Sequence, residues 1–374
     1  MSSANPLLIE VVPRMTPARC GVSDGSLLIA GVLDSAFGIR TAFTVLNSSE
    51  RCRIPYPIVH CAPGGLLDAC KTLSDGGTAA LLVHLSGYGY AADGAPADLA
   101  QALEEVSAGG QFRIAVFFHE LFQPALPWKP GFWHSRRQKQ VVRRIARTCD
   151  LLVTNTRPSL DWLERVPNKR SVAPIQFLSV FSQACEPDEP VAFARREPVA
   201  AVFGLEGTRQ RAYKEMAAVG TTFHDLGVRE IWDIGPEIDT PSEFRGIPIK
   251  RWGVLPAEQV GQRLSQARFG FLPLISGSTK SGVFAAYCAH GTIPVLARRL
   301  PWEIDGLQEG VHFFSPQTAK AARTSGLERC SQAAWRWYQG HRLRAHAAMY
   351  AQWLEDPAMG AGTEERVAAT AHGE

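Results

Sequence analysis

Short apolar runs, each stopped by a glycine- or hydroxyl-rich turn, recur along the whole chain, and helical patterns fall between them. In the first half the runs predict strands at Leu7–Val12, 42–46, 80–85, 114–118, Leu151–Thr154 and 175–180. Helices are expected at 25–37, 97–107, 136–148 and 158–165. Strands that alternate with helices imply a parallel sheet covered on both faces. A stretch rich in proline and charge, Cys185-Glu186-Pro187-Asp188-Glu189-Pro190 on to Glu197-Pro198, interrupts the pattern and is expected to be a linker. The alternation then restarts, with strands at 199–203, Glu230–Ile234, 269–274 and 293–297 and helices at 211–220, 257–267 and 281–290. From about Glu328 a long helical segment carries Trp335, Trp337, Tyr338, Tyr350 and Trp353, and a polar tail after Asp356 is expected to be disordered.

Composition narrows the class without naming a function. The chain has 374 residues, 45% apolar and 20% charged, which is enough for two ordinary domains. A net charge of +3 gives no argument for nucleic acid. Cys20, Cys52, Cys61, Cys70, Cys149, Cys185, Cys288 and Cys330 show no metal-ligand spacing, and scattered thiols suit a reducing compartment. No signal core and no run of about 20 apolar residues is seen, so a soluble cytoplasmic protein is expected.

The strongest chemical signal is the turn Ile275-Ser276-Gly277-Ser278-Thr279-Lys280-Ser281 before an alanine-rich helix. Helix N–H groups, hydroxyls and an ammonium converge there, as a diphosphate requires. The alternative is an ordinary turn with a solvated lysine. It is not a Walker loop, because GxxxxGK[ST] is absent. A second basic element, Gly204-Leu205-Glu206-Gly207-Thr208-Arg209-Gln210-Arg211-Ala212-Tyr213-Lys214, offers Arg209 and Lys214 as a clamp on the same oxygens, or else a solvated helix start.

In the first half, Arg19-Cys20-Gly21-Val22-Ser23-Asp24-Gly25 lacks the GxGxxG fingerprint of a dinucleotide site but can admit a bulky ligand at Gly21. His84 closes a strand before Gly87-Tyr88-Gly89-Tyr90, whose rings suit sugars. His119-Glu120 ends another strand, where a general base or a substrate ligand belongs. Arg136, Arg137, Lys139, Arg143, Arg144 and Arg147 crowd one helix behind Trp128, Phe132 and Trp133, which suits an anionic membrane surface or simply a solvated face.

Taken in order, these segments resemble bacterial glycosyltransferases of the GT-B architecture, nearest the family 4 type. Cys20-Gly21-Val22-Ser23-Asp24 is similar to the N-terminal glycine loop, Phe118-His119-Glu120 to the acceptor-side histidine, and Val153-Thr154-Asn155-Thr156 to the strand before the linker. Arg209 and Lys214 match the donor-diphosphate cations, Trp252-Gly253-Val254-Leu255 the base-binding loop, and residues 287–295 the helix and strand near the donor sugar.

The resemblance implies an α/β protein with two Rossmann-like domains facing across a cleft. Residues 1–182 would take the acceptor and 199–345 the nucleotide sugar, with 183–198 as linker and 346–374 as a returning helix and tail. It implies metal-independent glycosyl transfer from a nucleoside-diphosphate sugar, without a cofactor, to a glycan, lipid-linked or small hydroxyl acceptor in polysaccharide or glycoconjugate synthesis. The site would sit in the cytoplasm, at the inner face of the membrane if residues 136–147 bind lipid. His119, Glu120 and Asp24 would be catalytic. Arg209, Lys214, Lys280, Ser278 and Thr279 would hold diphosphate, Val254 and Leu255 the base, and Gly21, His84 and Tyr88 the acceptor. No metal ligand is expected. One departure stands out: two glutamates eight apart in the family's last donor motif read Ser278 and Ala286 here. That leaves open a catalytically silent sugar- or nucleotide-binding subunit of a glycan assembly complex, or an epimerase on the same fold.

Overall fold

The computed structural model describes residues 6–15, 21–47, 53–77, 79–123, 131–167, 170, 174–273, 278–297, 305–322 and 324–356. Arg19, Cys20, Trp128, Leu274, Ile275, Ser276, Gly277 and the tail after Asp356 lie outside them. The chain divides into two compact units, one of Met1–Leu178 with Leu343–Glu374 and one of Ser179–Arg342.

The first unit is built on a parallel sheet of seven strands: β1 (Leu7–Val12), β2 (Arg40–Val45), β3 (Ile58–His60), β4 (Ala79–Ser86), β5 (Phe112–Glu120), β6 (Leu151–Thr154) and β7 (Gln176–Phe177). Their order is β3-β2-β1-β4-β5-β6-β7, so the chain reverses direction across the sheet between β1 and β4. Every residue of β1 is buried, as an apolar run covered on both faces should be. On one face Ile9, Val11, Leu81, Val83, Ile114 and Val116 pack with Leu99, Leu103, Val142 and Ile145. On the other, Val12, Phe43 and Val45 pack with Ala30 of the helix Gly21–Phe37.

That helix packs against the last one, Leu343–Glu355. Arg113 of β5 ties the last helix down: its Nη2 donates to the Trp353 carbonyl at 2.6 Å, and its guanidinium lies 4.4 Å from the indole centre. The long segment expected after Glu328 is two helices, Thr324–Gln339 and Leu343–Glu355, parted at Gly340. β3 and the helix Leu66–Ser74 were not foreseen.

The second unit has β8 (Glu197–Phe203), β9 (Glu230–Ile234), β10 (Glu243–Phe244), β11 (Ile247–Gly253), β12 (Ala267–Leu272) and β13 (Ile293–Leu296) in the order β10-β11-β9-β8-β12-β13. Only β10 runs antiparallel. One face of this sheet packs Ala201, Leu272, Phe284 and Tyr287, the other Val202, Phe269, Phe271 and Val295.

The stretch expected as a linker is built into this unit. Ser182 N–H donates to the Tyr338 hydroxyl at 2.6 Å. Arg196 is buried. Its guanidinium donates to the carbonyls of Ala267 (3.3 Å) and His290 (2.7 Å), so it meets the negative end of the helix Gly282–Ala289. The six cysteines among the described residues are free thiols, and burial pushes Cys70 up to about 12. No helix among the described residues is long and apolar enough to cross a membrane.

Candidate functional site

In the second sheet the chain reverses between β8 and β12, and ligands of open parallel sheets bind where such strands part at their carboxyl ends. The β8–β12 ladder runs only as far as Ala201 opposite Gly270. Beyond it the Tyr287 hydroxyl takes over. It lies 2.9 Å from the Ala201 carbonyl and 3.3 Å from that of Phe271, and it accepts from Phe203 N–H at 3.2 Å. The tyrosine ring fits only because residue 270 is glycine: a Cβ there would lie 2.5 Å from the ring.

The turn expected to bind diphosphate stands at this point. Ser278–Lys280 form a single 3-10 turn, and Ser281 caps the helix Gly282–Ala289 by accepting from Phe284 N–H at 3.2 Å. Thr279 Oγ1 donates to Asp305 Oδ2 at 2.8 Å. Ser278 Oγ is buried and makes no hydrogen bond among the described residues. Lys280 is exposed. The turn after β8 is adjacent, since a Cβ on Gly204 (φ 136°) would lie 3.2 Å from Val283. Ala286, at one of the two glutamate positions of the resembled family, is core, so a carboxylate there would have no water.

Arg209 does not join this group as a free cation. The helix begins at Glu206, five residues earlier than expected, and Arg209 turns inward to 1% exposure. It pairs with Asp233 of β9 and donates to the Pro236 carbonyl, while Tyr213 donates to the other Asp233 oxygen at 2.5 Å. Its charge is met inside the fold. Gly235 (φ 148°) is needed beside it, as a Cβ there would lie 2.7 Å from Arg209 Nη1. Five residues along a helix turn a side chain through about 140°, so exposed Lys214 faces away from Arg209. The expected two-cation clamp is not formed, and only Lys280 of the three cations stands at the β8–β12 reversal.

Val254 is 52% exposed beyond the end of β11, and Leu255 packs on the core. Their loop is anchored by Trp252, whose ring lies under Arg263 at 3.7 Å and Lys250 at 4.3 Å.

In the first unit Gly21 and Asp24 form the first turn of the helix after β1, four residues earlier than expected, where an acid suits the helix dipole. Tyr88 lies in the turn after β4 and its hydroxyl accepts from Gln138 at 3.1 Å. Gly87 is required there, because a Cβ would lie 2.4 Å from the Gly94 carbonyl. His84 is 1% exposed and so does not meet an acceptor, contrary to expectation. It is the middle of a chain. His84 Nε2 lies 2.8 Å from Glu10 Oε2, and its Nδ1 lies 3.2 Å from His119 Nε2.

The β4–β5 register passes from Leu85 opposite Phe118 to Ser86 opposite Glu120, so His119 is an inserted bulge residue, half-buried at the strand end. Glu120 beside it is exposed. Burial pushes Glu10 well above the usual carboxylate range and His84 down to about 3. Burial first, then His84 and His346, push His119 well below the usual histidine range. Glu10 was missed; its only signal in sequence was a lone acid in a run of apolar residues.

No group of three or more His, Cys, Asp or Glu among the described residues is arranged to hold a metal ion. The helix Gly131–Thr148 spends part of its charge internally, through Arg137 with Asp93 at 3.1 Å and Arg144 with Glu104 at 2.7 Å.

The fold is that of the GT-B glycosyltransferases. Trehalose 6-phosphate synthase from Burkholderia multivorans is similar with a TM-score of 0.58 and 11% identity, over 97% of this chain and 99% of that one. An alpha-glucosyltransferase in complex with UDP and DNA gives 0.56 and 11%, over 94% and 99%. WaaG, a glycosyltransferase involved in lipopolysaccharide biosynthesis, gives 0.51 and 9%, over 93% and 99%. At these identities the likeness is one of fold. No family model matches the sequence, and no curated protein does.

Two stability predictions follow from this geometry. Arg209→Met leaves Asp233 buried and unpaired, so denaturant unfolding should show a loss of about 3–5 kcal/mol; an unchanged midpoint would mean the pair is solvated. The second concerns pH. Below about 6.5 the unfolded chain protonates His84 and His119 while the fold does not, so their share of stability falls as pH falls. Glu10 acts oppositely above its ordinary 4.5, where the unfolded chain loses a proton that the fold keeps. The histidines outnumber the acid, and burial lowers His290 and His341 as well, so stability should decline on acidifying from 6.5 towards 4.5. Melting temperatures across that range check the slope, and His84→Gln should flatten it.

Proposed function

We propose that the protein is a glycosyltransferase that moves a sugar from a nucleoside-diphosphate sugar to a hydroxyl acceptor. One observation carries the reading: Lys280, buried Ser278 and the N-terminus of the helix Gly282–Ala289 stand together where β8 and β12 part. As a glycosidic bond to a diphosphate breaks, negative charge grows on the leaving oxygens. Fixed N–H groups and a cation aimed at them lower that barrier without rearrangement. Lys280 supplies the charge, Ser278 and the first-turn N–H groups of the helix supply donors, and the main chain at Val254 and Leu255 receives the base. The second unit takes the donor and needs no metal for this; the first takes the acceptor, with His119 and Glu120 meeting its hydroxyl near Gly21, Asp24 and Tyr88. Arg209 and Lys214 are left out of the diphosphate contact.

The same reading extends to a lipid-linked acceptor of polysaccharide or glycoconjugate synthesis, met at the cytoplasmic face of a membrane. In support, the helix Gly131–Thr148 exposes Trp133 (69%) beside Arg136, Arg143 and Arg147. Cosedimentation with vesicles should then require anionic lipid and fade with salt; equal binding to neutral vesicles, or none, removes the membrane from the reading.

Lys280→Ala should leave the fold intact and lower turnover of the preferred nucleotide sugar by roughly 10²-fold, about what one charge-stabilising donor supplies. A thermal-shift screen over UDP, GDP, TDP and their sugars finds that donor. Wild-type turnover in Lys280→Ala would remove the assignment. Binding without turnover or hydrolysis in the wild type would instead mark a silent sugar-nucleotide-binding subunit.

A further inference from the structure

Glu10, His84 and His119 lie on three adjacent strands of one sheet, β1, β4 and β5, and run from its buried middle to its carboxyl edge. We propose that Glu10 and His84 form a buried relay that fixes the tautomer of His119, so that His119 presents Nδ1–H to a ligand as a neutral donor and not as a base. The argument begins at Glu10. Its side chain is fully buried, and Oε1 has no hydrogen-bond partner. An ionised carboxylate would leave a charged oxygen unmet in apolar surroundings, whereas a carboxylic acid leaves only a carbonyl.

The acid proton has one place to go. Oε2 donates to His84 Nε2. His84 is then protonated on Nδ1, and that N–H donates to His119 Nε2. With Nε2 accepting, a neutral His119 carries its proton on Nδ1. Each link dictates the next, and two neutral imidazoles and a neutral acid put no net charge in the core.

The groups around the chain fit a neutral state. From the helix Leu343–Glu355 come His346 and Tyr350, both fully buried, with the His346 ring 5.9 Å from Phe117. The Phe117 ring lies 4.2 Å from that of His119, tilted by 39°. Tyr90, whose hydroxyl donates to the Val11 carbonyl at 3.0 Å, Glu120 next to His119, and Tyr56 with Asp34 also lie on this side, and burial, then Asp34 and Glu10, hold Tyr56 above its ordinary value. No described cation pairs with Glu10. Glu10 and His84 are thus positioning residues; His119 alone reaches the edge. This rests on the transferase reading only for what meets Nδ1, which would be an oxygen of the substrate.

Ring 15N–1H correlation spectra of the labelled protein test the relay without any substrate, with His84 and His119 peaks assigned by their loss in His84→Gln and His119→Gln. Both rings should appear as the Nδ1–H tautomer from pH 6.5 to 8. A His119 ring protonated on Nε2, averaged between tautomers, or cationic in that range would overturn the proposal. Glu10→Leu removes the donor and should release His119 into an averaged state, while Glu10→Gln, whose amide donates to the same nitrogen, should retain Nδ1–H. A folded Glu10→Leu that keeps His119 as Nδ1–H also overturns it; should that variant fail to fold, the wild-type spectrum decides. With the donor found above, kcat should fall about 10–100-fold in Glu10→Leu with KM little changed, and recover in Glu10→Gln. A protein that turns over no sugar nucleotide fails the transferase reading, and the spectra still judge the relay.

Discussion

A single hydroxyl group sets the point where β8 and β12 part in the second unit. Parallel strands β8 and β12 must separate for a ligand to enter between them, and separation strands the carbonyls of Ala201 and Phe271 and the N–H of Phe203. Buried peptide groups left unmet would cost more than the crevice could return. Tyr287 meets all three from the helix Gly282–Ala289. The same helix directs its N-terminus past Ser281 toward the opening. One residue therefore closes the ladder and fixes the anion-binding end of the helix. Gly270 is its necessary counterpart, since any side chain there would displace the ring.

Each sheet also buries an acid in a central strand, Glu10 in β1 and Asp233 in β9. The two are satisfied differently. Asp233 meets a full guanidinium and a tyrosine hydroxyl, so it can stay ionised within a neutral pair. Glu10 meets only an imidazole that burial already disfavours charging, so the proton stays on the acid. The first arrangement locks a turn; the second sends a directional hydrogen-bond pattern to the surface. A strand-end histidine reads as a base until the group behind it is known.

This explains which parts of the molecule were legible in sequence. Apolar runs located ten of the thirteen strands with ends shifted by a few residues, all but β3, β10 and β11, because burial on both faces leaves little choice of residue. The unseen β11 is mostly solvent-facing, with Pro248, Lys250 and Arg251 in its run and only the two-residue β10 beyond it, so it carries no apolar signal. Helix starts were read late at Gly25 and Arg211, because the glycines at Gly21 and Gly207 suggested turns; both sit within helical first turns. At the site, the turn before Lys280 could be read because its neighbours in space are its neighbours in sequence. Arg209 could not, because its partner is 24 residues away on another strand. Nor could the Glu10–His84 bond, which spans 74 residues and needs the register of β1 on β4.

The inward pairing of Arg209 with Asp233 changes what the proposed donor site can be. Gly235 packs against both the Gly204 carbonyl and Arg209, whose charge is met by Asp233, so Arg209 fills space behind these turns while adding no net charge. Among the described residues named for the proposed site, positive potential comes from Lys280 and the partial charge of a helix N-terminus, roughly half an elementary charge. A site lacking carboxylates at Ser278 and Ala286 has less negative charge to offset, so fewer cations suffice to hold a diphosphate. On the proposed reading, the missing glutamates and the inward arginine offset one another, and the balance toward anions would rest on a lysine, a buried hydroxyl and oriented peptide N–H groups.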